Sequence, residues 1–267
     1  MYSKQPFNSR LVSIVLVGIF SFISLSQVQA QDQVLEANKK ITETETSIKD
    51  VNNENRQENV PEEQTKSNQT TQSQKDLLGK VQTFYASAKD FSAEFKQTYT
   101  YSIYGRKKIS TGKVYFKKPS KMRWDYETPT QRVFVADGKT LWVYEPEEAQ
   151  VFKRDLSSAQ LPIALRFMEG NARLDQEFIV QKISQEEQGP IVILLLKPKV
   201  PSPDFTSLEL RVNEVNGEVK SSILVDPTEN RNRIDFVEVK VNQDLPETGF
   251  SFTPPNGVRV IDEETRP

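Results

Sequence analysis

Residues 112–146, GKVYFKKPSKMRWDYETPTQRVFVADGKTLWVYEP, leave room for little besides consecutive antiparallel strands. Aromatic and β-branched residues recur there in short runs. Lys118-Pro119, Thr128-Pro129, Asp137-Gly138 and Glu145-Pro146 break the runs where turns belong. Both tryptophans, Trp124 and Trp142, fall in this stretch, with Tyr115, Tyr126 and Tyr144. A sheet so rich in large apolar side chains needs a cover.

The flanking sequence supplies one. Residues 74–90 carry Leu77, Leu78, Val81, Phe84, Tyr85 and Ala88 at helical spacing, which predicts an amphipathic helix. Phe91, Ala93 and Phe95 then alternate with polar residues and open a strand. Further strands are expected at 109–117, 121–127, 131–137, 140–145 and 149–153. A second helix is expected at 157–170, with Gly170 as its stop. Five more strands follow at 177–184, 190–197, 207–213, 218–225 and 231–241. Asp137-Gly138 and Asn216-Gly217 mark hairpins. Parity switches within 231–241, so a bulge is expected near Phe236. The tail 250–260, FSFTPPNGVRV, reads as extended. About eleven antiparallel strands with few helices result, a mainly β fold.

The first 72 residues are different material. Lys4 and Arg10 precede an apolar run from Leu11 to Leu25, and Val28-Gln29-Ala30 ends in a small residue. This predicts a cleavable secretory signal over 1–30. Residues 31–72 hold no aromatic side chain, nine acids and five bases. Such a segment cannot bury enough apolar surface to offset its ordering entropy, and it reads as a disordered polar linker. The folded domain is then 73–267. The whole-chain charge of −2 leaves this domain about neutral, which argues against nucleic acid.

The sequence has no cysteine and no histidine. Disulfides, thiol nucleophiles, imidazole metal sites and the Ser-His-Asp triad are excluded. No dinucleotide or phosphate loop appears, so no cofactor is expected. Ser110-Thr111-Gly112-Lys113 spells S-x-x-K, but that arrangement belongs at the start of a helix and here enters a strand. Non-enzymatic binding is the expectation.

Strand alternation puts Met122, Trp124 and Tyr126 on one face, with Val114 and Phe116 on one face of the preceding strand. A strongly curved sheet with large side chains on its concave face encloses either a packed core or an apolar ligand. Periodicity alone leaves both open.

Phe91–Gln97 (FSAEFKQ), Gly112, Lys118-Pro119, Trp124, Pro129, DGKTLWVYEP at 137–146 and FSFTPPNGV at 250–258 resemble the periplasmic outer-membrane lipoprotein carrier family, LolA. The resemblance covers about 75–262. It implies an incomplete, strongly curved β-barrel of eleven strands beneath a helical lid, with an apolar cavity between them. Phe91, Phe95, Val114, Phe116, Met122, Trp124 and Tyr126 would line that cavity. It implies a carrier that accepts acylated lipoproteins from an inner-membrane ABC transporter and hands them to an outer-membrane receptor or the outer membrane. A periplasmic monomer is expected. Two family positions differ. The arginine that ties down the lid is matched by Lys118, which reads equally as a solvated strand-end lysine. The bulky aromatic matched by Met122 is absent, which bears on contact with the transporter. A lipid- or lipoprotein-sensing regulatory module on the same half-barrel is the alternative. The lipid-anchored receptor of the pathway would need a cysteine.

Overall fold

Alternating burial along each strand builds the fold. In β1 (Asp90–Thr100) Phe91, Ala93, Phe95, Gln97 and Tyr99 are buried, and the residues between them are more open. In β2 (Lys107–Lys117) the buried set is Ser110, Gly112, Val114 and Phe116. The register pairs Phe91 with Phe116 and Ala93 with Val114, so both sets share one face. The computed structural model describes residues 76–156, 173–186 and 189–262. They belong to a unit spanning Thr71–Pro267. The predicted signal, linker and second helix at 157–170 lie outside the described residues.

The chain continues through β3 (Lys121–Thr128), β4 (Arg132–Asp137), β5 (Thr140–Glu145) and β6 (Gln150–Asp155). Then come β7 (Phe178–Gln185), β8 (Ile191–Pro198), β9 (Ser207–Asn213), β10 (Val219–Val225), β11 (Arg231–Val241) and β12 (Arg259–Asp262). These twelve strands form one open, curled sheet in the order β12-β6-β5-β4-β3-β2-β1-β11-β10-β9-β8-β7. The eleven expected strands are present with boundaries shifted by at most a few residues. The twelfth, β12, was expected only as extended chain, because a four-residue strand carries no periodicity. It runs parallel to β6, pairing Arg259 with Gln150.

Turn chemistry sets the hairpins. Gly138 has φ +98° between β4 and β5. The Asp137 carboxylate accepts the amides of Lys139 (2.8 Å) and Thr140 (2.7 Å). Gly217 has φ +80° between β9 and β10, and Asn216 Oδ1 accepts the Glu218 amide at 3.0 Å. The expected bulge in β11 lies slightly beyond Phe236. The β1–β11 register shifts between Ser92 and Glu94, opposite Val237–Lys240, and Glu238 takes φ +51°.

Residues 76–87 form α1. Leu77, Leu78, Val81 and Tyr85 are buried at helical spacing, and each such burial contributes about 1.5–3 kcal/mol for the larger side chains. The helix caps one end of the sheet. Lys80 Nζ donates to the Glu214 carbonyl (2.9 Å). The Val219 amide donates to the Tyr85 hydroxyl (3.3 Å). A short helix, α2 (Leu174–Glu177), leads into β7. No helix among the described residues is long and apolar enough to cross a membrane.

After β11 the chain doubles back as a strap over the other face of β3–β5. The buried Asp90 carboxylate receives it, accepting the amides of Gln243 (2.7 Å) and Leu245 (3.2 Å). Glu247, in the 3-10 turn Glu247–Phe250, bridges Lys117 and Lys121. Phe250 is buried. Phe252 lies 5.8 Å from the Trp142 ring and 5.7 Å from that of Tyr144. The sheet therefore has a second, smaller apolar layer on its strap side.

Candidate functional site

Register brings the predicted wall residues together. Phe91 and Phe95 pair with Phe116 and Gly112. Val114, Phe116 and Gly112 pair with Trp124, Met122 and Tyr126. All seven predicted residues thus share the inner face. Phe91, Phe95, Val114, Phe116, Met122 and Trp124 are buried, and Tyr126 is partly open. Met122 is fully buried.

The rings make a continuous path from α1 across the sheet. Tyr85 lies 6.2 Å from Phe91, which lies 5.9 Å from Phe116. Phe116 meets Trp124 edge-on at 6.3 Å. Phe95 sits 4.9 Å from both Trp124 and Tyr126. Each such pair adds about 0.5–1.5 kcal/mol beyond its buried area. Gly112 makes this stacking possible. A Cβ there would sit 2.9 Å from Phe95 Cε1 and 1.9 Å from the Asp125 carbonyl oxygen.

Sequence reasoning missed half of this face. Phe134 is buried and 5.7 Å from Tyr126. Ala136, Leu141 and Val143 follow by register. Leu194, Leu196, Leu210 and Ile234 extend the buried apolar surface on the other side of β1. Parity within β4 or β8 divides residues between two faces, but only cross-strand register says which face is inward. A polar patch was also missed. Gln97 Nε2 donates to Asn232 Oδ1 at 2.9 Å in a buried pair, beside the buried Ser110.

Two tyrosines feel the apolar surroundings. Burial raises the Tyr85 phenol well above its ordinary pKa; the Val219 amide works against the shift and Glu218 adds to it. Burial likewise raises Tyr126, with Arg132 opposing. Trp124 Nε1 is buried with no hydrogen-bond partner among the described residues. Leaving such a donor unsatisfied costs about 1–3 kcal/mol.

Lys118, the predicted latch, reaches α1. Its Nζ donates to the carbonyls of Tyr85 (2.9 Å) and Ala86 (2.7 Å). These belong to the last turn of the helix, where carbonyls lack helical donors and a cation is favoured. The Lys118 amide also donates to the Lys89 carbonyl at 3.0 Å. Neighbouring Lys117 goes elsewhere, to the Leu245 carbonyl and Glu247 of the strap.

Among the described residues no cluster of acidic, thiol or imidazole side chains could hold a metal. A curled antiparallel sheet with an aromatic inner face, capped by a tethered helix, defines a binding fold. The family model described as outer membrane lipoprotein carrier protein LolA matches residues 86–253. The chain belongs to the LolA family, whose members are non-enzymatic carriers. The matched span is narrower at both ends than the expected 75–262. An outer-membrane lipoprotein carrier protein from Chromobacterium violaceum is 29% identical over 188 residues, 70% of this chain and 88% of that protein. One from Pseudomonas putida is 35% identical over 156 residues, covering 58% and 72%. The solved structure of a LolA superfamily protein from Nitrosomonas europaea aligns with TM-score 0.38 and 14% identity, covering 67% of this chain and 97% of that one.

Proposed function

We propose that this protein is a periplasmic carrier that binds the acyl chains of lipoproteins released from the inner membrane and delivers them to the outer membrane. The observation that carries this reading is the continuous inner face from Phe91 to Phe134, capped by a helix tied down at Lys118. Burying one methylene is worth about 0.8 kcal/mol, so one acyl chain represents roughly 10 kcal/mol. Such cargo crosses water only inside a protein that offers comparable apolar surface. A carrier must also release it, so the cover has to open. The polar part of the tie on α1 includes two lysine hydrogen bonds to helix carbonyls; Leu77, Leu78, Val81 and Tyr85 add buried apolar contact.

In this reading Phe91, Phe95, Val114, Phe116, Met122, Trp124 and Tyr126 line the acyl site, and Lys118 is the latch. Lysine lacks the planar fork of arginine, so its hold on α1 is less directional. The partners are acylated lipoproteins, an inner-membrane ABC transporter and an outer-membrane receptor or the outer membrane itself. The segment 1–30 exports the chain and is then cleaved, leaving 31–72 as a polar extension ahead of the carrier domain. The test is purification of the native protein followed by mass spectrometry of what remains bound. Stoichiometric acylated protein is expected, and it should be lost on Trp124→Glu. Recovery of the wild type with no acylated species, from cells making lipoproteins, would sink the assignment.

A further inference from the structure

The β1–β2 hairpin carries two adjacent exposed apolar residues, whereas Val200 and Val215 are exposed singly. Ile103 is 76% exposed, Tyr104 69% and Ile109 50%. The run 102–109, SIYGRKKI, is exposed throughout. Exposed apolar residues scattered singly need no explanation, but adjacent ones at a projecting tip mark an interaction site.

The tip is held out by design of the base. The Tyr101 amide donates to the Arg106 carbonyl at 2.9 Å. Ser102 donates its amide to Asn230 Oδ1 (3.0 Å) and its hydroxyl to the Thr228 carbonyl (2.7 Å). The 226–230 turn is itself braced, because the Asp226 carboxylate accepts from Thr228 and Asn230. Gly105 takes φ +60° at the turn. The hairpin is therefore anchored to the 226–230 turn while Ile103 and Tyr104 stay in water.

Charge identifies the partner. Arg106, Lys107 and Lys108 follow the apolar pair directly, and none makes an ion pair with another described residue. The adjacent acids are engaged or weakly placed. Asp226 is bound within its own turn, and Glu127 faces Lys113 at 3.9 Å. Glu229 alone adds an exposed acid in the neighbouring turn. Glu147 and Glu148 sit at the same end of the sheet but between β5 and β6, several strands away. A tyrosine and an isoleucine next to three cations that form no ion pair among the described residues suit the headgroup region of an anionic bilayer.

We infer that the β1–β2 hairpin docks on anionic membrane surfaces, with Ile103 and Tyr104 entering the interface and Arg106, Lys107 and Lys108 contacting lipid phosphates. The hairpin extends the two central wall strands. Docking would set the end of the sheet opposite α1 against the bilayer. Its use in cargo transfer rests on the carrier reading; the contact itself does not.

The test is flotation of the cargo-free protein without its export signal, residues 31–267, with vesicles of phosphatidylcholine and phosphatidylglycerol in equal parts, against phosphatidylcholine alone. Binding to the anionic vesicles is expected, weakening with salt. The pair Ile103→Asp, Tyr104→Asp should abolish it, and Arg106→Gln, Lys107→Gln and Lys108→Gln together should weaken it roughly tenfold or more. Unchanged thermal unfolding of both variants certifies their folds, since every substituted side chain is exposed. Absence of wild-type flotation, equal flotation by the aspartate variant, or equal binding to neutral vesicles would overturn the inference. So would a crosslinker at Tyr104 that captures a protein and no lipid. Because no lipoprotein is present, failure here leaves the carrier assignment standing, and failure to recover acylated cargo leaves this result standing.

Discussion

Lys118 joins two segments that its sequence neighbourhood does not connect. Its ammonium sits on the Tyr85 and Ala86 carbonyls, over thirty positions earlier. Lys118→Leu keeps an apolar side chain and removes both bonds. A destabilisation of about 1 kcal/mol is expected, since the site is partly solvated. Amide exchange within α1 should accelerate more than exchange in β1 and β2, whereas Lys118→Arg should restore protection. Uniform change across the domain would show that Lys118 is no latch. Gly112 presents a stricter constraint. A methyl group there meets the Asp125 carbonyl oxygen at 1.9 Å, and backbone of a paired strand cannot step aside cheaply. Gly112→Ala should cost about 3 kcal/mol in denaturant unfolding; a cost within experimental error would refute the close approach. The sequence alone pointed to Gly112 and Lys118 only through family resemblance. Periodicity is silent on both, because one lacks a side chain and the other acts through a distant helix end.

The strands were legible because their chemistry is local. Aromatic and β-branched alternation, with Asp137-Gly138 and Asn216-Gly217 between runs, specifies hairpins without tertiary information. The strap was not legible. Residues 242–258 alternate weakly, and their conformation follows from remote partners, Asp90, Lys117, Lys121 and Arg123. The same blindness hid why Trp142 and Tyr144 face away from the wall. They belong to the second apolar layer, closed by Phe250 and Phe252. Phe252 is the ring set against both, so Phe252→Ala should cost about 2 kcal/mol. It should also shift the emission of Trp142 towards that of solvated indole, with Trp124, on the opposite face, left as it is. Comparing the variant in Trp142→Phe and Trp124→Phe backgrounds separates the two fluorophores. A shift that survives Trp142→Phe would contradict this layering.

Strand order was the feature of the whole sheet least visible in advance. Sequential hairpins follow from turns, but the closure of β1 onto β11 joins residues far apart, and nothing local announces it. That closure makes the inner face continuous, with Tyr85 buried against it and Tyr126 half-buried in it. The consequence is a specific alkaline limit. Tyr85 and Tyr126 have pKa values raised in the folded protein, chiefly by burial, while in the unfolded chain both titrate near about 10. Below that pH both states hold the proton and the contribution to stability is complete. Above it the unfolded chain releases protons that the native state retains, so stability falls as pH rises. Each phenol then removes about 1.4 kcal/mol per pH unit until its native value is reached. Lysines titrate in the same range, so the informative quantity is a difference between proteins. Tyr126→Phe preserves the ring beside Phe95 and deletes the ionisable group. Urea unfolding of this variant should lose less stability than the wild type over the alkaline range, and tyrosinate absorbance of the native wild type should report two late-titrating residues. Parallel stability profiles for the two proteins would mean that the Tyr126 hydroxyl reaches solvent and that the wall is open there.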